Sequence, residues 1–137
     1  MTASDALRAH QAMQHLVLEQ RNLRQATVEE TGISFARARA LRRLARGPMR
    51  MSELAEELGT EKPYLTVMID DLEQRGLVTR TQSADDRRVK VLALTDAGQA
   101  VAAQAERIVS EPPPGLARLT EAELATLACL LEKAAAQ

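Results

Sequence analysis

Apolar positions recur with a helical period along most of this chain, and the period changes only once. Leu65, Met68, Ile69 and Leu72 stand at i, i+3, i+4 and i+7, the spacing that lines one face of a helix. Pro63 falls in the first turn, where the amide it lacks would have had no helical partner, and Gly76 stops the segment. Just upstream, Leu54, Ala55 and Leu58 mark a shorter helix with Ser52 as its expected cap and Gly59 as its stop, and Thr60 is the expected cap of the next. Two short helices divided by a tight Gly-Thr turn make a helix-turn-helix pattern.

The flanks are helical too. Leu7, Met13, Leu16, Val17 and Leu23 predict one long first helix over residues 4–30, with a stripe narrow enough to suit a partner helix as well as its own core. Ser34 caps a second helix carrying Ala38, Leu41, Leu44 and Ala45, stopped by Gly47 and Pro48. After Gly76 the pattern alternates and becomes rich in β-branched residues, which predicts strands at residues 77–81 and 89–94 joined by a loop at 82–88. Val89, Val91 and Ala93 then face one way, and Lys90, Leu92 and Leu94 the other. Thr95, followed by Asp96, caps a fifth helix with Val101, Ala105, Ile108 and Val109 inward, ending near Pro112. Thr120 with Glu123 is a capping box for a last helix bearing Leu124, Leu127, Leu130 and Leu131. The expected fold is therefore mainly α, about six helices with a small β-hairpin wing: a winged helix-turn-helix.

Composition changes the picture in a few places. A chain of 137 residues suits one domain, and with Phe35 and Tyr64 as its only aromatics the core must be aliphatic. The lone Cys129 excludes an internal disulfide and sits in an apolar stripe where a packed thiol is expected; with no apolar leader at the start, a reducing cytoplasm is the expected location. No apolar run approaches the roughly 18 residues of a membrane span, so no membrane partner is expected. The net charge of −1 is uninformative, yet residues 32–92 hold twelve Lys or Arg against nine Asp or Glu, while the remainder holds six against ten. No acid occurs between Glu30 and Glu53, so Arg37, Arg39, Arg42, Arg43, Arg46 and Arg50 predict a continuous source of positive potential.

Catalytic chemistry finds no foothold. His10 and His15 are five apart on one helix and do not share a face, and His15 with Glu19 reads as an ion pair rather than a ligand set. There is no GxSxG, HExxH, Walker loop or CxxC. The chain is expected to be no enzyme and to hold neither metal nor cofactor. Nucleic-acid chemistry fits better. The major groove admits one α-helix, read by side chains in its N-terminal half. On the helix of residues 61–75 the exposed positions of that half are Lys62, Pro63, Tyr64, Thr66 and Val67. Thr66 can bond a base or phosphate, Tyr64 can bond a phosphate or stack, and Val67 can touch a thymine methyl.

Three stretches in order, MSELAEELG, LTVMIDDLEQRGLVTR and DDRRVKVLALTDAG, resemble the MarR family of winged helix-turn-helix regulators over residues 52–98. The most specific piece is Asp86-Arg87-Arg88 followed by Leu94-Thr95 and Gly98. The resemblance implies a single domain over 1–137, with residues 32–95 as the DNA-binding part and 1–31 and 96–137 as the dimerisation part. It implies a homodimer on a pseudo-palindromic stretch of double-stranded DNA, acting as a repressor released by a small phenolic or aromatic effector. In the family pattern Arg88 would enter a narrow minor groove with Asp86 holding its guanidinium, while Arg80, Arg87 and Lys90 would meet phosphates. Arg50 and Thr60 complete the expected DNA-contacting set. Some members sense peroxides through a cysteine in the first helix; this chain has none there.

The chain departs from the family where basic residues commonly stand in the recognition helix: it has Val67 and Asp71, and Asp70, Asp71 and Glu73 make the helix centre acidic. Phosphate attraction would then fall to the second helix, Arg50 and the wing, unless those arginines pair internally with Glu53, Glu56 and Glu57. Two other functions remain compatible with the pattern: a winged-helix module that binds protein, and a small-molecule-binding helical dimer without DNA binding.

Overall fold

The computed structural model describes residues 3–20 and 22–137. Its elements run α1 (Ala3–Gln14), a π-helical stretch (His15–Gln20), α2 (Leu23–Thr31), α3 (Phe35–Leu44), β1 (Met49–Arg50), α4 (Met51–Leu58), α5 (Lys62–Gln74), β2 (Val78–Gln82), β3 (Lys90–Leu94), α6 (Asp96–Ser110), a 3-10 turn (Pro114–Arg118) and α7 (Glu121–Ala135). The one long helix expected over residues 4–30 is thus divided: its middle widens into the π form and Asn22 is not helical. Arg21, inside that span, lies outside the described residues. With those pieces counted as the single segment expected there, six helices and a small antiparallel sheet make the winged helix-turn-helix.

The helix ends show which local signals work. Ser34 accepts a hydrogen bond from the Arg37 amide, Thr95 from the Gly98 amide at 3.0 Å, and Thr120 from the Glu123 amide while Glu123 reaches back to the Thr120 amide. Each such cap stabilises its helix by about 1 kcal/mol. Two caps fall elsewhere than the sequence suggested. Helix α4 starts at Met51, one residue before Ser52, with the Arg50 amide donating to the Glu53 carboxylate at 3.3 Å. Helix α5 takes Glu61 rather than Thr60 as its N-cap, and Pro63 still occupies the first turn. Between them Gly59 adopts φ 63°, the left-handed conformation that lets α4 stop and the chain turn at once.

The sheet has three strands in the order β1-β3-β2, all antiparallel. Thr81 pairs with Val91 and Gln82 with Lys90, while Met49 pairs with Leu92 and Arg50 with Val91. A strand of two residues leaves no period in a sequence, so β1 could not be read there. Gly98, in the first turn of α6, meets the end of the hairpin closely: a Cβ at this position would lie 2.0 Å from the Leu77 carbonyl oxygen.

The chain forms two compact units. Leu23–Ser110 is one, and the residues before Leu23 and after Ser110 make the other. The larger unit holds an aliphatic core of Leu41 and Leu44 from α3, Leu54 from α4, Leu65, Met68, Ile69 and Leu72 from α5, Val78 and Leu92 from the sheet, and Ala102 and Ala105 from α6. Each fully buried leucine contributes about 1.5–3 kcal/mol. Helices α2 and α6 pack with α3 inside this unit. In the smaller unit no described residue is buried. Leu7, Met13, Val17, Leu18, Leu130 and Leu131 are exposed there, and Cys129, expected to be packed, is exposed as well. Among the described residues no helix is long and apolar enough to cross a membrane.

Candidate nucleic-acid interface

Burial of Leu65, Met68, Ile69 and Leu72 turns the opposite face of α5 outward. Lys62, Pro63, Tyr64 and Val67 are exposed there, and Thr66 is half-buried with its hydroxyl donating to the Lys62 carbonyl at 2.9 Å. The side chains expected to read bases therefore share one accessible surface of one helix. Thr60 lies beside that helix rather than on it, half-buried, its hydroxyl 3.5 Å from the Leu58 carbonyl.

The wing tip is a tight turn. The Ser83 amide donates to the Val89 carbonyl at 2.8 Å, and the Val89 amide to the Asp86 carbonyl at 3.0 Å. Asp86 organises the turn: its carboxylate accepts from the Arg88 amide at 3.0 Å and lies 3.4 Å from the Arg88 Nε. The Arg88 side chain remains 92% exposed, so one carboxylate aims it without covering it. Arg87 is exposed in the same turn.

Tertiary structure joins these elements. A groove of about 310 Å³ is lined by Lys62 and Thr66 of α5, Arg80, Arg88 and Lys90 of the hairpin, and Arg50 from β1. Six of the expected contact residues thus face one concavity, and Tyr64, Val67, Pro63, Thr60, Asp86 and Arg87 stand outside its lining. Met51, Ser52 and Val89 also line it. Ser52 is absent from the expected contacts because its position suits a helix cap, whereas the one-residue earlier start of α4 leaves it exposed in the first turn.

The acidic centre of α5 is answered by arginines from other segments. Asp70 is ion-paired with Arg80 of β2, and Glu73 lies 3.7 Å from the same guanidinium. Asp71 accepts from Arg37 of α3 at 2.8 Å and from Arg75 at 3.0 Å. Three acids that would repel a phosphate backbone are thereby turned into ties that hold α5 to the wing and to α3. The ties also occupy Arg80, which is 23% exposed and points its charge at α5 as well as lining the groove.

Helix α3 is the second departure from expectation. Its arginines do not form one continuous field of positive potential: Arg37 pairs with Asp71, Arg42 with Glu106 at 2.7 Å, and Arg43 with Glu57 through two nitrogens, while Arg39 and, just beyond the helix, Arg46 are in no ion pair among the described residues. These bonds hold the Glu57 and Glu106 carboxyls below their ordinary pKa, chiefly through the guanidinium hydrogen bonds, and raise that of Arg43. Arg50, 3.8 Å from Glu53, stays half-exposed at the groove. The exposed cations on α5, the wing and the groove beside them are therefore Arg50, Lys62, Arg87, Arg88 and Lys90.

No group of three or more His, Cys, Asp or Glu that could hold a metal exists among the described residues. His15 and Glu19 form the expected pair at 2.7 Å.

A helix with an outward-facing N-terminal half beside an arginine-tipped hairpin is the arrangement of a winged helix-turn-helix protein. A model of the MarR family matches residues 33–90. Over 73 residues the chain is 38% identical to the HTH-type transcriptional repressor MdtR of Bacillus subtilis, covering 53% of this chain and 47% of that protein, so it matches about half the length of this relative. Its fold is similar to the YusO protein of Bacillus subtilis, with 30% identity, TM-score 0.68 and 98% of each chain covered. It is also similar to the transcriptional repressor CouR bound to a 23-mer DNA duplex, with 29% identity, TM-score 0.69, and 98% of this chain and 93% of that one covered. Over residues 33–90 the chain thus shares the sequence pattern of the MarR family.

Proposed function

We propose that this protein is a homodimeric DNA-binding transcriptional regulator, a repressor acting in the cytoplasm without enzymatic activity. The observation that carries the reading is the groove in which Lys62 and Thr66 of the recognition helix and Arg88 of the wing share one surface with Arg50 and Lys90. Helix α5 enters the major groove with Lys62, Pro63, Tyr64, Thr66 and Val67 leading, while Arg88, steadied by Asp86, enters the adjacent minor groove. Arg50, Arg87 and Lys90 meet phosphates; Arg80 contributes mainly by fixing the wing to α5, and Thr60 by its place at the turn before it. The repressor function of MdtR and the duplex bound by CouR support the same reading.

The exposure of its apolar residues supports dimerisation through the smaller unit. Helices with exposed Leu130 and Leu131 and no buried described residue need another apolar surface. Two-fold symmetry then sets the recognition helices about 34–36 Å apart on a pseudo-palindromic site. A small phenolic or aromatic effector that releases the DNA completes the proposal.

Selection of bound fragments from random duplexes, followed by titration at several salt concentrations, tests it. Arg88→Ala should lower specific affinity by roughly 5- to 150-fold, the equivalent of the loss of about 1–3 kcal/mol expected of a discriminating contact. Arg87→Ala should instead lower the salt slope by about one while leaving the selected sequence unchanged. Recovery of no symmetric sequence, or an Arg88→Ala protein that binds as wild type, would sink the reading.

A further inference from the structure

On the surface of the larger unit, α3, α4 and α6 enclose a second concavity of about 240 Å³, and it shares no lining residue with the groove described above. Four guanidiniums, those of Arg39, Arg42, Arg43 and Arg46, line it with only two carboxylates, Glu57 and Glu106. Two positive charges are therefore uncompensated within one small hollow. A guanidinium offers five N–H donors. Arg42 is bonded through Nε to Glu106, Arg43 through two nitrogens to Glu57, and Arg39 through one to the Leu58 carbonyl at 3.1 Å. Most of the donors around the hollow thus remain available. Arg46 is exposed and has no bonded side-chain partner among the described residues, yet its charge acts on both Glu57 and Glu106. It lines the same hollow as both ion pairs without joining either.

We propose that this hollow is a binding site for a multivalent oxyanion of the phosphate class, with Arg46 as its first contact and Arg39, Arg42 and Arg43 closing around it. Forked guanidiniums match the geometry of phosphate oxygens, and several within a Debye length of about 8 Å reinforce one another. The two carboxylates make the site selective: an anion enters only if it outcompetes Glu57 and Glu106, which favours a high charge density over chloride. Its arrival has a structural consequence. The Arg43–Glu57 pair ties α3 to α4, the first helix of the helix-turn-helix, and the Arg42–Glu106 pair ties α3 to α6. Binding diverts both arginines and loosens both ties, so the anion acts on the positioning of α4, and by linkage DNA acts equally on the anion. The site itself is independent of the DNA-binding reading, and only this coupling rests on it.

The test uses the full chain and inorganic pyrophosphate, with sodium chloride at matched ionic strength as control, without divalent cations. Binding is followed by calorimetry and by the thermal midpoint. Wild-type protein should bind pyrophosphate and gain a midpoint shift that chloride does not give. Arg46→Gln, at an exposed residue that makes no side-chain hydrogen bond among the described residues, should weaken binding at least tenfold, with Arg39→Gln as a second variant, while Arg88→Ala should bind pyrophosphate as wild type does. Inorganic phosphate and a phosphate monoester, run in parallel, separate a free anion from the headgroup of a larger metabolite. Equal response to pyrophosphate and chloride overturns the site. So does an Arg46→Gln protein that keeps pyrophosphate affinity but loses affinity for a nonspecific duplex, since the cluster would then serve the DNA backbone. A chain that binds pyrophosphate and no duplex leaves the site standing and removes the DNA-binding reading instead.

Discussion

The two compact units of this chain spend their apolar residues in opposite ways. In Leu23–Ser110 the leucines of α3, α4 and α5 close on one another and on Val78 and Leu92, several with no exposed surface at all. In the other unit α7 carries Leu130 at 60% exposure and Leu131 at 40%, and no described residue is buried. The lesson is that helix formation and burial are separable. Helix α7 has a complete capping box and helix-favouring residues, so it is locally well specified, yet its apolar face has no partner within its own unit. The first unit closes a core of its own; the second leaves its apolar residues open.

The largest effect should come from striking the core. Leu41→Ala, at a fully buried position of α3, should cost about 2–5 kcal/mol in urea denaturation, through lost transfer energy and the cavity left behind. The cost should be the same at low and high protein concentration, because this core belongs to one chain.

Next comes Leu130→Asp in the other unit. An isolated chain would hardly register a charge at so exposed a position. In a dimer the carboxylate must be desolvated, so self-association should weaken roughly 100-fold, about 2.8 kcal/mol. Sedimentation should then show a monomer at concentrations where the wild type is paired, and the thermal midpoint should lose its dependence on concentration. An unchanged dimer would remove α7 from the interface.

The smallest effect is on pH dependence, and it separates the units again. Glu57 and Glu106 in the larger unit are held below the usual carboxylate value near 4.5 by Arg43 and Arg42, and Glu123 in the smaller one by its bonds to Thr120. A carboxyl whose folded pKa is depressed contributes stability above its unfolded pKa and loses it as pH falls through the folded value. The thermal midpoint should therefore decline below about pH 4.5. Gln at positions 57 and 106 should flatten that decline for the larger unit, and Glu123→Gln should change only the helicity of α7. All three groups are solvent-screened, so the midpoint shifts should be small. An acid limb identical in the Glu57→Gln, Glu106→Gln double variant would show that these pairs add nothing.

The same contrast explains how legible the site was. Lys62 and Thr66 could be placed on the outer face of α5 because Leu65, Met68, Ile69 and Leu72 fix the inner one, and both positions are read from a single helical period. Asp86 and Arg88 are two residues apart, and their bracing is a local turn. Arg80 was a different matter. It was expected at phosphates, and its ion pair with Asp70 emerges only when β2 folds back beside α5. The acidic recognition helix, which left a protein-binding function open, ceases to be a liability once Arg37 and Arg80 arrive from other elements. Cys129 was misjudged for the complementary reason: an apolar neighbourhood in sequence shows what a face prefers, not whether anything lies against it.

Sequence alone determined the order of the helices and the hairpin apart from β1 and the break in the first helix, the caps at Ser34, Thr95 and Thr120, the single change from helical to strand period, and the outward residues of α5 and the wing. Those features rest on interactions within a few residues, where spacing and residue type are enough. Tertiary structure decided which arginines are spoken for, where β1 pairs, and which apolar faces find cover. Charge compensation and burial are made between segments tens of residues apart, as Arg37 with Asp71 and Arg42 with Glu106, and no local period carries a record of them.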